Sequence, residues 1–269
     1  MEKINHMKIR LTTDGQEKHF LQDEMAKRGI PTSPIPLVYE RNIVTDEGLQ
    51  GLARQHFDAI APPHVTTFNG GVPELGSRDL WRKALVDTYR RVGGLFIADI
   101  EPQWTIRFAT RSSASAAERD LGATWFEDAF AVAIGCYAFP FDDWGNYPDD
   151  SMRRILDRAG RLYPCGYWYA GGNGNKPWTV PDYNRVVKRC VSCWVGMNRD
   201  PEEIEPFLCP VDSANNPLHV DFISATLEMW RRQGILDCNL WLPCDDRKQA
   251  EQSLAWMDAP GVLEAFTAG

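Results

Sequence analysis

No stretch of this sequence approaches the ~20 consecutive apolar residues that a membrane-spanning helix requires. Its first residues contain no apolar run of the kind found in a secretory leader. Met7 is a second candidate start, which makes residues 1–6 an expected expression leader. The expected location is cytoplasmic, or secreted with a signal already removed. A basic excess is also missing: 29 Lys and Arg stand against 37 Asp and Glu, giving a net charge of −8 and a pI near 5.2. Nucleic acids and anionic membranes are held by basic surfaces, so neither is an expected partner. The arginine pairs 90/91, 153/154 and 231/232 fall in expected helices and read as solvated outer faces. Five histidines, at 6, 19, 56, 64 and 219, show neither metal-ligand nor Ser-His-Asp spacing. Seven cysteines are an odd number, which argues against a disulfide framework. Cys190-Val-Ser-Cys193 has no second pair to complete a zinc tetrahedron, and as part of an expected strand its thiols would point to opposite faces. Internal repeats, low-complexity tracts, P-loops and dinucleotide fingerprints are absent. No cofactor or metal is expected.

What the sequence does contain is alternation. The chain has 269 residues, 43% hydrophobic and 25% charged, enough to bury one sizeable core. Strands are expected over 8–13, 36–40, 64–68, 95–101, within the apolar run 132–139, and over 166–170, 191–197 and 238–242. Helices are expected over 17–28, 46–57, 77–92 (with Ser77 as cap), 116–131, 150–161, 181–188, 219–233 and 247–257. The 77–92 segment shows the clearest periodicity: Leu80, Trp81, Ala84, Leu85, Tyr89 and Val92 form one stripe, and Gly93-Gly94 ends it. Strands alternating with helices imply a parallel sheet. The expected fold is a single α/β domain over 7–269, a (β/α)8 TIM-type barrel of irregular form.

One strand carries unusual chemistry. In Leu95-Phe-Ile-Ala-Asp99-Ile-Glu101 the odd-numbered residues share a face, so two apolar side chains are followed by two carboxylates. At the C-terminal end of a barrel strand, inward residues reach the active-site mouth. Paired carboxylates repel when both are ionised, so one keeps its proton, as a general acid requires. An Asp-x-Glu triplet arises about once by chance in a chain of ordinary acidic content. Asp200-Pro-Glu202 is a second instance, on an expected loop. Structural ion pairing at a barrel rim is the competing reading of the first.

The segment Asn69-Gly-Gly-Val-Pro-Glu, then Leu80 and Lys83-Ala84, then Gly94-Leu-Phe-Ile-Ala-Asp-Ile-Glu101 with Trp104 resembles the hyaluronidase family of glycoside hydrolases. The stretch 161–170, with Gly166-Tyr-Trp-Tyr, is similar to that family's next aromatic strand. Asn216-Pro-Leu, the helix after it and Leu240-Trp241 are similar to its last helix and Trp-bearing strand. The resemblance implies a (β/α)-barrel and a retaining, substrate-assisted hydrolysis. Glu101 would be the proton donor, and Asp99 would orient the substrate's 2-acetamido group, whose oxygen is the nucleophile. It also implies site aromatics at Tyr169 and Trp241. A −8 chain without a basic cleft suits an acidic polymer poorly, so barrel and mechanism, rather than substrate, are what is expected to be shared.

Further candidate sugar-binding residues are Asn69, Trp104, Tyr137, Asp142, Asp143, Tyr167, Trp194 and Asp245. Phe139-Pro-Phe-Asp142-Asp143-Trp-Gly-Asn-Tyr147 offers rings to stack on sugar faces and acids to bind hydroxyls; the alternative is a loop that covers the core. The glycine-rich 171–175 segment reads as a lid, or as a phosphate cradle with Lys176. Asp245-Asp246 are either site acids or the cap of the last helix. The expected function is hydrolysis of an oligo- or polysaccharide containing N-acetylhexosamine. A muramidase-like glycosidase using a second carboxylate, a non-catalytic sugar-binding barrel and a barrel acting on a phosphorylated small molecule stay open.

Overall fold

The computed structural model of the protein describes residues 7–39, 75–99, 116–137, 150–164, 185–211 and 216–267. In chain order the elements are β1 (Lys8–Leu11), α1 (Lys18–Lys27), β2 (Leu37–Tyr39), α2 (Leu75–Val92), β3 (Phe96–Asp99), α3 (Ala116–Phe130), β4 (Ala133–Cys136), α4 (Asp150–Arg158), α5 (Arg185–Gly196), a 3-10 turn (Pro201–Glu203), β5 (Phe207–Leu208), α6 (Val220–Arg232), β6 (Asp237–Leu240), α7 (Arg247–Met257) and α8 (Val262–Thr267). They fall into two compact units. One comprises Met1–Leu37, Tyr137–Asp142 and Arg161–Gly269; the other comprises Val38–Cys136 and Asp143–Gly160.

In the first unit β1, β6 and β5 form a parallel sheet in that order. Lys8 lies opposite Asp237, Leu11 opposite Leu240, and Phe207 opposite Asn239. The first strand thus pairs with the last, the pairing that a cyclic strand order demands. Single parallel bridges join Leu11 to Thr32, Tyr137 to Tyr163, and Leu162 to Ile204. Both faces of the sheet are covered: Leu11, Cys238 and Leu240 are buried on one side, Thr12 and Asn239 on the other. Parallel sheets are buried on both faces because their crossover helices lie over them.

The helices of this unit follow their apolar spacing. Leu21 and Met25 on α1, and Ala250, Leu254 and Met257 on α7, are buried at helical intervals. The ends of these two helices are tied by Arg28, whose guanidinium donates to both carboxylate oxygens of Asp258 at 2.8 Å. Asp246 caps α7, accepting from the Gln249 amide at 2.8 Å, which bears out the capping alternative for the 245–246 pair. Helix α6 begins at the cap His219 and buries Ile223, Thr226 and Trp230; α8 buries Val262 and Phe266. Gly15 follows β1 where a Cβ would stand 2.6 Å from the Cys244 carbonyl oxygen, so the turn lies directly on the segment after β6.

The second unit holds a sheet in the order β2-β3-β4, with β3 parallel to β4. Phe96, Ile97 and Ala98 are fully buried. Helix α3 buries Ala123, Phe126, Ala129 and Phe130, and α4 buries Ile155 and Leu156. Arg154 on α4 donates to Asp120 and Glu127 on α3, each at 2.6 Å, and Arg82 on α2 reaches Asp128 at 3.0 Å. Helix α2 ends as expected, with Gly93 at φ +79° and Gly94 at φ +157°.

Several expectations are corrected. The segment 185–196 is one helix, not a short helix followed by a strand over 191–197. Val187, Cys190 and Trp194 are buried at a 3.6-residue spacing while Val195 is 49% exposed. Its β-branched valines suggested a strand, but propensity is a weak prior against packing. Helix α2 starts two residues before Ser77, which therefore lies inside it; among its described side chains Leu85 and Thr88 are buried, and Tyr89, expected on the apolar stripe, is exposed. Strand β5 and helix α8 were not expected. Among the described residues the strands form two three-stranded sheets rather than a closed ring of eight; the strands expected over 64–68 and 166–170 and the helix over 46–57 lie outside the described residues. No helix among them is long and apolar enough to cross a membrane.

Gly15→Ala should destabilise the protein by about 1–3 kcal/mol, because the added methyl meets backbone that cannot yield cheaply. Urea denaturation of the variant beside the unaltered protein measures it; an unchanged midpoint would show that the turn relaxes freely.

Candidate functional site

Asp99 is the last residue of β3, at the C-terminal end of a strand buried through Phe96, Ile97 and Ala98. In register β3 runs beside β4 with Ala98 opposite Cys136, after an irregularity between Phe96 and Ile97. Leu95, expected on the inner face, precedes the strand and is 49% exposed. In parallel α/β folds the C-terminal strand ends are where loops gather and ligands bind. Glu101, Asn69, Trp104, Asp142, Asp143, Tyr167 and Tyr169 lie outside the described residues.

Four sequence candidates fall in the first unit. Tyr137 is buried beyond the end of β4, edge-on to Phe207 at 4.9 Å between centroids. Trp194 is completely buried on α5: its indole donates to Glu203 at 3.0 Å and Arg199 stacks on its ring at 4.3 Å. It has no face open to a sugar and serves packing. The strand expected over 191–197, which includes it, is part of a helix. Trp241 stands one residue past β6, half-buried, with its amide bonded to Leu208 O at 2.9 Å, so the extended pairing continues through it. By alternation it shares a face with Asp237 and Asn239. Asp245 is exposed beside the α7 cap, its amide donating to the Gln249 side chain at 2.6 Å.

That shared face carries residues the sequence reading missed. Arg10 pairs with Asp237 at 2.9 Å, and Arg161 pairs with Glu205. The Thr12 hydroxyl donates to Asn239 Oδ1 at 2.6 Å, and Asn239 donates to the Glu205 backbone oxygen at 3.2 Å and to its carboxylate at 3.5 Å. Tyr163 stands beside Glu205 in the pairing of 162–164 with 203–207, its ring tilted against Phe207. The available signal was alternation: Arg10 on β1 and Thr12 just after it, Asp237 and Asn239 on β6. A strand that is polar on one face ordinarily turns that face to water. Here Thr12, Asn239 and Glu205 are at most 4% exposed, so the polar face is inside.

Burial raises the Glu205 carboxyl above its ordinary range. Arg161 opposes that shift, Asp237 adds to it, and the Asn239 hydrogen bond and Arg10 oppose it. Burial pushes the Cys193, Cys238 and Cys244 thiols up, away from thiolate, which suits none of these three to a nucleophilic or ligand role. Cys190 and Cys193 are three apart on a helix and lie on neighbouring positions, not on opposite faces. Among the described residues no group of three His, Cys, Asp or Glu could hold a metal ion.

No protein-family model matches the chain, and no curated protein matches it. Solved structures do. Bee venom hyaluronidase in complex with a hyaluronic acid tetramer aligns with a TM-score of 0.61 at 15% identity, covering 96% of this chain and 98% of the other. A monoclinic crystal form of bee venom hyaluronidase aligns at 0.60 and 14%, covering 96% and 99%. The chain shares its fold with bee venom hyaluronidase. The resemblance read from Asn69 through Trp104 is thereby matched by a likeness that runs the length of both chains, to a (β/α)-barrel glycoside hydrolase. At this identity it is a likeness of fold.

Because the folded Glu205 carboxyl lies above its unfolded value, its contribution to stability is fully present below the unfolded value and is lost as pH rises through the folded one. The stability difference between the unaltered protein and Glu205→Gln should therefore shift toward the unaltered protein as pH falls from 7.5 to about 5. Denaturant titrations across that range read it; a difference constant with pH would contradict the burial argument.

Proposed function

We propose that this protein is a glycoside hydrolase that cleaves an N-acetylhexosamine-containing glycan by retaining, substrate-assisted hydrolysis. The observation that carries the reading is the position of Asp99 at the C-terminal end of a buried parallel strand, in a chain whose fold matches a hyaluronidase end to end. Two residues further on, Glu101 is the general acid. It protonates the glycosidic oxygen as the bond to C1 breaks, while the substrate's acetamido oxygen closes on C1 from the opposite face. Asp99 orients that acetamido group and balances the positive charge that develops on the closed ring. Water then opens the intermediate, with the Glu101 carboxylate taking its proton, and the anomeric configuration is kept. Trp241, half-buried at the end of β6, supplies a ring face for a sugar. The acidic balance of the chain favours a neutral glycan over a polyanionic one.

Hydrolysis of a panel of glycans and aryl N-acetylhexosaminides by the unaltered protein, Glu101→Gln and Asp99→Asn tests this. Each variant, folded by circular dichroism, should lose about 10²–10⁴-fold in kcat, the usual range for a general acid. A thiazoline analogue of the intermediate should inhibit. Glycan binding without turnover, or full activity in Glu101→Gln, would refute the reading.

A further inference from the structure

Tyr163 is completely buried, and its hydroxyl has no hydrogen-bond partner among the described residues. Its ring is packed: Phe207 lies against it at 6.2 Å between centroids, and Tyr137 in turn packs against Phe207. A second buried atom on the same face is in a similar position. Asp237 Oδ1 lies 2.9 Å from an Arg10 nitrogen, close enough for ion pairing, yet receives no well-directed hydrogen bond. Backbone pairing sets these groups side by side: Leu162 bonds to both Glu203 and Glu205, and Phe207 lies opposite Asn239, so Tyr163, Glu205 and Asp237 are lateral neighbours on one face, with Arg161 paired to Glu205 and Arg10 to Asp237.

Buried polar atoms without partners are rare in folded proteins, and where protein supplies none, an internal water usually does. We propose that Tyr163 and the surrounding charged groups form an internal binding site for one water molecule, shared between the phenol and the carboxylates of Glu205 and Asp237. The chemistry selects that ligand. An anion would face two carboxylates and a cation two guanidiniums, so the site takes a neutral dipole. The phenol is a donor and the carboxylates are acceptors, so the ligand must accept once and donate twice. Water does both and makes the three hydrogen bonds typical of a buried molecule. This water would join Tyr163 to the Glu205–Asn239–Thr12 chain, and through it to β5, β6 and β1. The proposal does not depend on the hydrolase reading.

A crystal structure at a resolution that shows ordered solvent tests it directly. The expected result is a water peak within hydrogen-bonding reach of Tyr163 Oη and of at least one of the two carboxylates; a phenol bonded to protein, or to nothing, would overturn the proposal. Tyr163→Phe gives a second, independent reading by its sign. If the hydroxyl anchors a water, its removal should lower Tm by about 2–4 °C for a chain of this size. If the hydroxyl is orphaned, its removal relieves a desolvated group and Tm stays or rises, which counts against the site. Should the variant not fold, the solvent structure of the unaltered protein decides.

Discussion

The first unit depends on charges held inside it. Arg10 with Asp237 and Arg161 with Glu205 sit on the covered face of a parallel sheet, and Asn239 links Glu205 to Thr12 across the same face. Burying a charge is costly unless it is paired and its remaining hydrogen-bonding capacity is met. The two pairs are balanced in sign, and Arg10 and Arg161 keep about a quarter to a third of their side chains in solvent, which moderates that cost. The arrangement is demanding in another way. Its members come from β1, β6 and the segments before β5 and around Tyr163, so a register error in any one of them would strand a charge. A polar network of this kind favours one pairing over its neighbours more than it adds raw stability.

Above this polar layer the strand ends become available for chemistry. Asp237, Asn239 and Trp241 share one face of β6, and the residue nearest the C-terminal end is the half-buried aromatic. On β3 the order is the same in outline: three buried apolar residues, then Asp99. In both units the strand interiors are committed to packing or internal pairing, and Trp241 and Asp99 stand at the C-terminal ends of β6 and β3. The likeness to bee venom hyaluronidase at 15% identity is a likeness of fold, and a fold can be kept while the residues at its strand ends vary, because the residues that make a fold and those that act on a ligand are different residues.

Much of this was legible in the sequence, and where it was not the reasons are physical. The alternation of strands and helices, the glycine stop at Gly93-Gly94, the α7 boundaries and the Asp246 cap could be read because local signals and packing agree there. Residues 191–197 could not, because Val191 and Val195 carry strand propensity while Val187, Cys190 and Trp194 carry the helical burial that decides. Trp194 went with them: a tryptophan expected at a sugar site is bonded to Glu203 inside the unit. Strand β5, two residues long, has no periodicity to detect. The polar network was invisible for a different reason. Alternating polar and apolar residues look the same whether the polar face meets water or other polar groups, and only the pairing of distant segments tells the two apart. The Asp99–Glu101 pair was singled out by its place after an apolar run, and the structure describes that run as far as Asp99.

The pairing of β1 with β6 has a consequence for how the protein is made. The Thr12–Asn239 hydrogen bond spans 227 residues, and Thr13 reaches Leu242 across 229. During synthesis, residues 8–14 emerge more than 220 residues ahead of their sheet partner. Contacts between such distant segments form slowly, and an unpaired strand edge exposed for that long can associate with other chains. The early neighbour it does have, Thr32 beside Leu11, gives the nascent strand a provisional partner within two dozen residues.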